Sequence, residues 1–147
     1  MDDLVADFVC EAAETLGGLQ AGIARLSADR IDRVASDEML RRLHGLKGLC
    51  GFVSFRRCET LIHAGESLAV AMAASPAAPL VLARLSRVVG RLGEILAFAA
   101  EHRCEPQGDD ADLIAEVEGS AVQLRLTPTP VVDVVEALTA EMLAEGA

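Results

Sequence analysis

A helical hairpin decides the fold of this chain, and it reads SDEMLRRLHGLKGLCGFVSFRRCETLIHAGESLAVAM from Ser36 to Met72. In both halves, apolar side chains recur every three or four residues, which is the spacing of one face of an α-helix. Ser36 is predicted to cap the first of these helices, and Ser54 the second. The inward positions are predicted to be Met39, Leu43, Leu46, Cys50 and Val53, then Phe55, Cys58, Leu61, Ile62, Gly65, Leu68, Ala69 and Met72.

The same helical spacing continues on both sides of the hairpin, and no strand-like alternation is present. A first helix is predicted over residues 3–26 and a fourth over 79–102. Asp109 or Asp110 is predicted to cap a short fifth helix. Long helices with short connections favour an all-α fold, an antiparallel four-helix bundle with a short fifth helix.

The pattern changes after residue 118. Residues 119–130 end in Thr-Pro-Thr-Pro, which is typical of a linker, and an amphipathic stretch follows from Val131. We therefore expect a domain over residues 1–118, followed by a linker and C-terminal segment over 119–147 to which the sequence assigns no role.

Composition excludes several classes of function. Of 147 residues, 52% are hydrophobic, and 23 acids against 13 bases give a net charge of −10, whereas a general nucleic-acid binder is basic. No apolar run approaches the roughly 18 residues that span a bilayer, and the acidic start does not resemble a secretory signal. We expect a cytoplasmic protein without nucleic-acid or membrane partners. The four scattered cysteines are predicted to be reduced thiols in the core.

Charge is unevenly distributed along the chain. Between Arg25 and Arg57 lie eight bases and four acids, a local charge of +4 against −14 for the remainder. Such an island indicates an acidic or phosphorylated partner, although an ordinary solvated helix face has the same composition. Arg41 and Arg42, just before His44, are candidates for steering that partner.

Three glycines lie close to a histidine and the chain's only lysine. Gly45, Gly48 and Gly51 each cost a helix roughly 1 kcal/mol relative to alanine. A face with His44, Lys47 and no other bulk lets a second surface approach the imidazole closely. The alternative is that the glycines permit close packing of helices within the fold.

The register of the hairpin brings further polar groups to His44. If the turn centres near Ser54, residue 64 lies at the height of His44, about 15 Å from the turn. His63 and Glu66 flank that height. A carboxylate that accepts from one ring nitrogen leaves the other as a nucleophile, so this group predicts chemistry at His44.

These residues carry a resemblance to a family. The run HGLKGLCGF at 44–52 resembles the phosphorylated motif of histidine phosphotransfer domains, most closely the N-terminal domain of the chemotaxis kinase CheA. HAGE at 63–66 falls where that family has its second histidine and glutamate. Similar features are Asp7-Phe8-Val9 with Glu11 and Glu14, and Gly108-Asp109-Asp110. The resemblance covers about residues 1–118.

The resemblance implies a phosphohistidine carrier in chemotaxis-like two-component signalling. His44 would take a phosphoryl group from ATP held by a histidine kinase catalytic domain and pass it to an aspartate of a CheY-like receiver domain. Lys47 would steady the phosphoryl group, and Glu66 and His63 would tune the imidazole. The expected docking residues are Gly45, Gly48, Leu49, Gly51, Arg41 and Arg42.

No nucleotide-binding loop is present, so this chain is expected to bind neither ATP nor another cofactor and to belong to a kinase system as its phosphotransfer part. Two alternatives remain open. His44, His63 and Glu66 are a donor set for iron or zinc in a helical bundle. The chain could also be an adaptor in which His44 has no chemical role.

Overall fold

Five helices make up the described part of the protein, as seen in a computed structural model that describes residues 2–28, 33–74 and 78–126. In chain order they are α1 (Asp2–Ala28), α2 (Arg33–Phe52), α3 (Arg56–Ala74), α4 (Ala78–His102) and α5 (Ala111–Leu126). The all-α prediction is confirmed. None of these helices is long and apolar enough to cross a membrane.

The first four helices form the bundle. Helix α1 contacts α2 and α4, and α3 contacts the same two neighbours, so each helix touches two others in a ring. Helix α5 packs mainly on α3 and lightly on α4. The hairpin of α2 and α3 is the most extensive pairing, and it leaves one side of α2 open to solvent.

The core is aliphatic, as the absence of Trp and Tyr requires. Every inward position predicted on α3 is buried, and so are Met39, Leu43, Leu46 and Cys50 of α2. Each fully buried Leu or Ile removes enough apolar area from water to contribute roughly 1.5–3 kcal/mol. Phe8 and Phe55 meet edge to face with ring centroids 5.0 Å apart. The core therefore fixes which face of α2 looks outward.

Two predicted caps are wrong. Helix α2 begins at Arg33, so Ser36 lies within it and is buried rather than placed as its cap. Ser54 ends α2 instead of starting α3. It has a left-handed φ of 62°, its N–H donates to the Gly51 carbonyl, and the Phe55 N–H donates to that of Cys50. This is the Schellman pattern, in which the left-handed residue stops the helix.

The fifth helix is longer than predicted. The Asp109 carboxylate accepts the Ala111 N–H at 3.0 Å, and the Asp110 carbonyl accepts the first helical bond from Ile114. The helix then continues through Gly119 to Leu126, where the sequence suggested a linker. The expected amphipathic stretch from Val131 lies outside the described residues.

The cysteines divide into two pairs. Cys50 and Cys58 are buried free thiols, whereas Cys10 and Cys104 are exposed, contrary to the prediction that all four lie in the core. A hydrogen bond with Cys50, followed by burial, raises the pKa of the Cys58 thiol well above its usual range. Cys58 is therefore held in its protonated, unreactive form.

Candidate functional site

His44 stands on the outer side of α2. Its neighbours Leu43 and Leu46 point into the core, while its own side chain is 74% exposed. Because α2 turns by about 100° per residue, burial of Leu43 forces His44 outward. Sequence periodicity alone is thus sufficient to present this imidazole to a partner.

Glu66 of α3 holds the ring of His44. Its Oε2 lies 3.2 Å from Nδ1 across the hairpin, as the register predicted. The adjacent Gly65 is buried, and a Cβ there would lie in ordinary van der Waals contact, 3.4 Å from Val88 and 3.8 Å from Leu43.

Lys47 is the second partner of Glu66. Its Nζ lies 2.6 Å from Oε1, so each carboxylate oxygen has one nitrogen neighbour. The exposed fraction of the side chain is 14% for Glu66 and 30% for Lys47. Glu66 therefore contacts both His44 and Lys47, which lie one turn apart on the same face of α2.

The charge state of Glu66 follows from opposing effects. Burial raises the pKa of its carboxyl, but hydrogen bonds from Lys47 and His44 outweigh burial and leave the pKa below its usual value. An ionised carboxylate can only accept hydrogen bonds. Nδ1 of His44 must therefore carry the proton, and in the neutral ring Nε2 keeps its lone pair.

His63 lies near the site without joining this set of bonds. It is exposed and lines an open groove of about 480 Å³ between α2 and α3. No hydrogen bond or ion pair connects its ring to another of the described residues. The rest of the lining is Leu40, Arg41, His44, Lys47, Glu66, Ser67 and Val70.

The glycines of α2 are open to solvent. A Cβ on Gly45 or Gly48 would meet nothing within 4 Å, so these two do not serve helix packing. A Cβ on Gly51 would lie 3.4 Å from Glu59. Leu49 is half-buried against the core and, at 140° around α2 from His44, faces a different side.

Phe52 was not predicted as a site residue, although it is 73% exposed. Two helical turns separate it from His44, which places it on the same side of α2 as Gly45 and Gly48. We call Arg41, Gly45, Gly48 and Phe52 the open strip. The signal in the sequence that could have identified Phe52 is a large aromatic residue at a spacing that places it on the outward side of α2.

Three of the eight bases of the basic island form ion pairs with described residues. Arg42 pairs with Glu38 at 2.9 Å and lies over Gly18 of α1, away from His44, so the structure does not bring it to the imidazole. Arg57 pairs with Asp110 at 2.8 Å, and Lys47 with Glu66. Arg41 alone of the predicted steering pair lines the groove.

The metal alternative lacks the geometry it needs. Within residues 3–26, 34–72 and 80–123, no three His, Cys, Asp or Glu side chains converge to hold a metal ion. His44, His63 and Glu66 all lie in these ranges.

Comparison with known proteins identifies the family of this chain. The family model for the Hpt domain matches residues 3–125, so the chain belongs to that family, the histidine phosphotransfer domains. Its class is thereby defined as a phosphohistidine carrier of two-component signalling. No curated protein sequence matches the chain.

A solved structure shares the fold. The phosphorylated P1 domain of CheA3, in complex with CheY6 from R. sphaeroides, is 20% identical and superposes with a TM-score of 0.77. The match covers 84% of this chain and 99% of that one. The predicted resemblance to the CheA phosphotransfer domain is confirmed at the level of fold.

Proposed function

We propose that His44 is the residue that carries the phosphoryl group, and that Nε2 is the atom that forms the bond. The observation that carries the proposal is the contact of Nδ1 with ionised Glu66, which leaves the lone pair of Nε2 free on an exposed ring. A nucleophile oriented by a neighbouring carboxylate is the usual arrangement for group transfer.

Each transfer step exchanges one bond to phosphorus. Nε2 attacks the γ-phosphorus of ATP held by a kinase catalytic domain, the bond to the bridging oxygen breaks, and ADP leaves. The ring gains positive charge, which Glu66 stabilises through the Nδ1 proton. A receiver aspartate then attacks phosphorus, the phosphorus–Nε2 bond breaks, and the neutral ring returns.

Lys47 and Glu66 have separable roles in these steps. Lys47 brings a positive charge within one helical turn of His44, where the oxygens of the phosphoryl group develop charge. Glu66 fixes the tautomer and the orientation of the ring. His63 forms the wall of the groove beside them and contributes an exposed imidazole without a hydrogen bond to His44.

The partners are two domains that reach His44 in turn. A receiver domain of the CheY kind fits the open strip, since bare glycines admit a bulky surface and Phe52 offers an apolar contact. A kinase catalytic domain supplies ATP, for which this chain has no loop. The setting is a chemotaxis-like pathway in the cytoplasm.

Phosphorylation with a kinase domain tests the proposal. We expect the chain to label from ATP only when a histidine kinase catalytic domain is present, with a bond stable to base and labile to acid. His44→Gln should abolish labelling and keep the helix content, while His102→Gln is the control and should label normally. Labelling of His44→Gln would contradict the proposal and favour an adaptor with an incidental histidine.

A further inference from the structure

Glu105 lies in the loop between α4 and α5, yet both its carboxylate oxygens are used at the start of α3. Oε1 accepts the backbone N–H of Arg57 at 3.0 Å, and Oε2 accepts that of Cys58 at 2.9 Å. These N–H groups belong to the first turn, where no partner exists within the helix. A negative charge there also meets the positive end of the helix dipole.

Arg57 ties the same loop down with its side chain. Its Nε and Nη2 donate to the two oxygens of Asp110 at 2.8 and 2.9 Å, and Asp110 is only 1% exposed. Nη1 donates to the carbonyls of Pro106 and Gln107 at 3.4 and 3.3 Å. The loop and the start of α3 thus form one hydrogen-bonded unit.

The consequence for the site follows from the rigidity of α3. Glu66 lies nine residues beyond Arg57 on the same helix, about 14 Å along its axis. Its contact with His44 is 3.2 Å, at the long end of the range for a hydrogen bond. A displacement of α3 by half an ångström is therefore enough to weaken that contact.

We propose that Glu105 is a positioning residue, which sets the place of α3 and so holds Glu66 against His44. The proposal rests on the proposed function of His44 and extends it to a loop on another part of the fold. A three-residue turn connects α3 to α2 along the chain. Beyond side-chain packing, Glu105 and Arg57 add polar bonds that join the start of α3 to the loop between α4 and α5.

Chemical phosphorylation of the full chain by phosphoramidate tests this without a partner protein. In this reaction Nε2 bonds to phosphorus, the phosphorus–nitrogen bond of the donor breaks, and ammonia leaves. We expect Glu105→Ala to slow labelling of the folded protein by about 2- to 30-fold, the range for coupling by residues that do not touch the site. Glu101→Ala, an exposed carboxylate at the end of α4, is the control and should leave the rate unchanged.

The same substitution made in a Glu66 variant distinguishes a positioning role of Glu105 from a general effect on the stability of the fold. In Glu66→Ala protein, Glu105→Ala should give little further loss, because the carboxylate that Glu105 positions is already absent. Equal losses in both backgrounds, or none in either, would overturn the proposal. If Glu105→Ala does not fold, Glu105→Gln and the ¹⁵N shift of His44 Nδ1 provide the same comparison. Absence of labelling in the wild type would instead contradict the proposed function.

Discussion

At the scale of single residues, Glu66 is the group on which the site depends. It is largely buried, and burial alone would favour its neutral form. The hydrogen bonds from Lys47 and His44 reverse that preference. The same bonds that ionise the carboxylate therefore also decide which nitrogen of His44 carries the proton.

The lowered pKa of Glu66 predicts a loss of stability in acid. A carboxyl whose pKa is lower in the folded protein stabilises it above the unfolded value, about 4.3 for Glu, and this part is lost as pH falls through the folded pKa. Between pH 5 and pH 3 ordinary amines and imidazoles stay charged. We therefore expect the stability difference between wild type and Glu66→Gln to shrink in that window.

Urea denaturation at several pH values measures this difference. Glu118→Gln, which removes an exposed carboxylate from α5, controls for the loss of one negative charge. A difference that stays constant from pH 5 to pH 3 would show that Glu66 does not form these contacts in solution.

At the scale of elements, the turn between α2 and α3 contains a serine in a backbone conformation that glycine adopts more easily. Ser54 has a φ of 62°, which glycine adopts without the penalty of a Cβ. We expect Ser54→Gly to raise the free energy of unfolding by up to about 1 kcal/mol, because relief in the folded state exceeds the entropy that glycine adds to the unfolded chain. Ser54→Val should lower it, since β-branched residues avoid this region.

The midpoint of chemical denaturation measures both changes in the free energy of unfolding. The dependence of that free energy on denaturant concentration should be unchanged. If Ser54→Gly were less stable than Ser54→Val, the Schellman turn described here would be wrong.

Helix α2 contributes the open strip, and its glycines allow a test of docking without damage to the fold. Gly48→Arg adds a side chain where nothing lies within 4 Å, and arginine is the better helix former by roughly 1 kcal/mol. We expect this variant to melt no lower than the wild type, yet to lose transfer to a receiver domain. The rate of phosphoryl transfer from labelled protein measures the loss.

The matched control is Gly90→Arg on α4, where a Cβ would also meet nothing within 4 Å. Helix α4 does not contact α2 among the described helices, so transfer should be normal. Full activity of Gly48→Arg would mean that the receiver docks elsewhere.

At the scale of the whole molecule, the sequence predicted most of what depends on local spacing. The buried face of α2, the outward direction of His44 and the height of Glu66 all follow from 3.6 residues per turn. Contacts between distant segments were not predictable in that way. Nothing local indicates that Glu105 caps α3, or that Arg42 crosses Gly18 of α1, since both depend on how helices pack.

The distribution of charge predicts an unusual salt dependence for association with an acidic receiver. The chain carries −10 overall, and Asp3, Asp7, Glu11 and Glu14 are exposed along α1, a helix that contacts α2 and α4 but not α3. Beside His44, Arg41 is a base without an ion pair to any described residue. Long-range repulsion of an acidic receiver by the net charge therefore competes with its short-range attraction to Arg41.

Screening by salt determines whether the repulsion or the attraction dominates the association rate. The Debye length is about 30 Å at 0.01 M salt, about 10 Å at 0.1 M and about 3 Å at 1 M. At 0.01 M the whole net charge is felt and slows encounter with an acidic partner, whereas near 0.1 M mainly Arg41 and its surroundings act. At 1 M even this attraction is screened.

We expect the association rate to be highest near 0.1 M. In Arg41→Gln the rate should rise steadily with salt instead, because only repulsion remains to be screened. Stopped-flow measurement with a receiver of negative net charge distinguishes the two profiles, and a wild-type rate that falls continuously from 0.01 M would show that local attraction dominates at every distance.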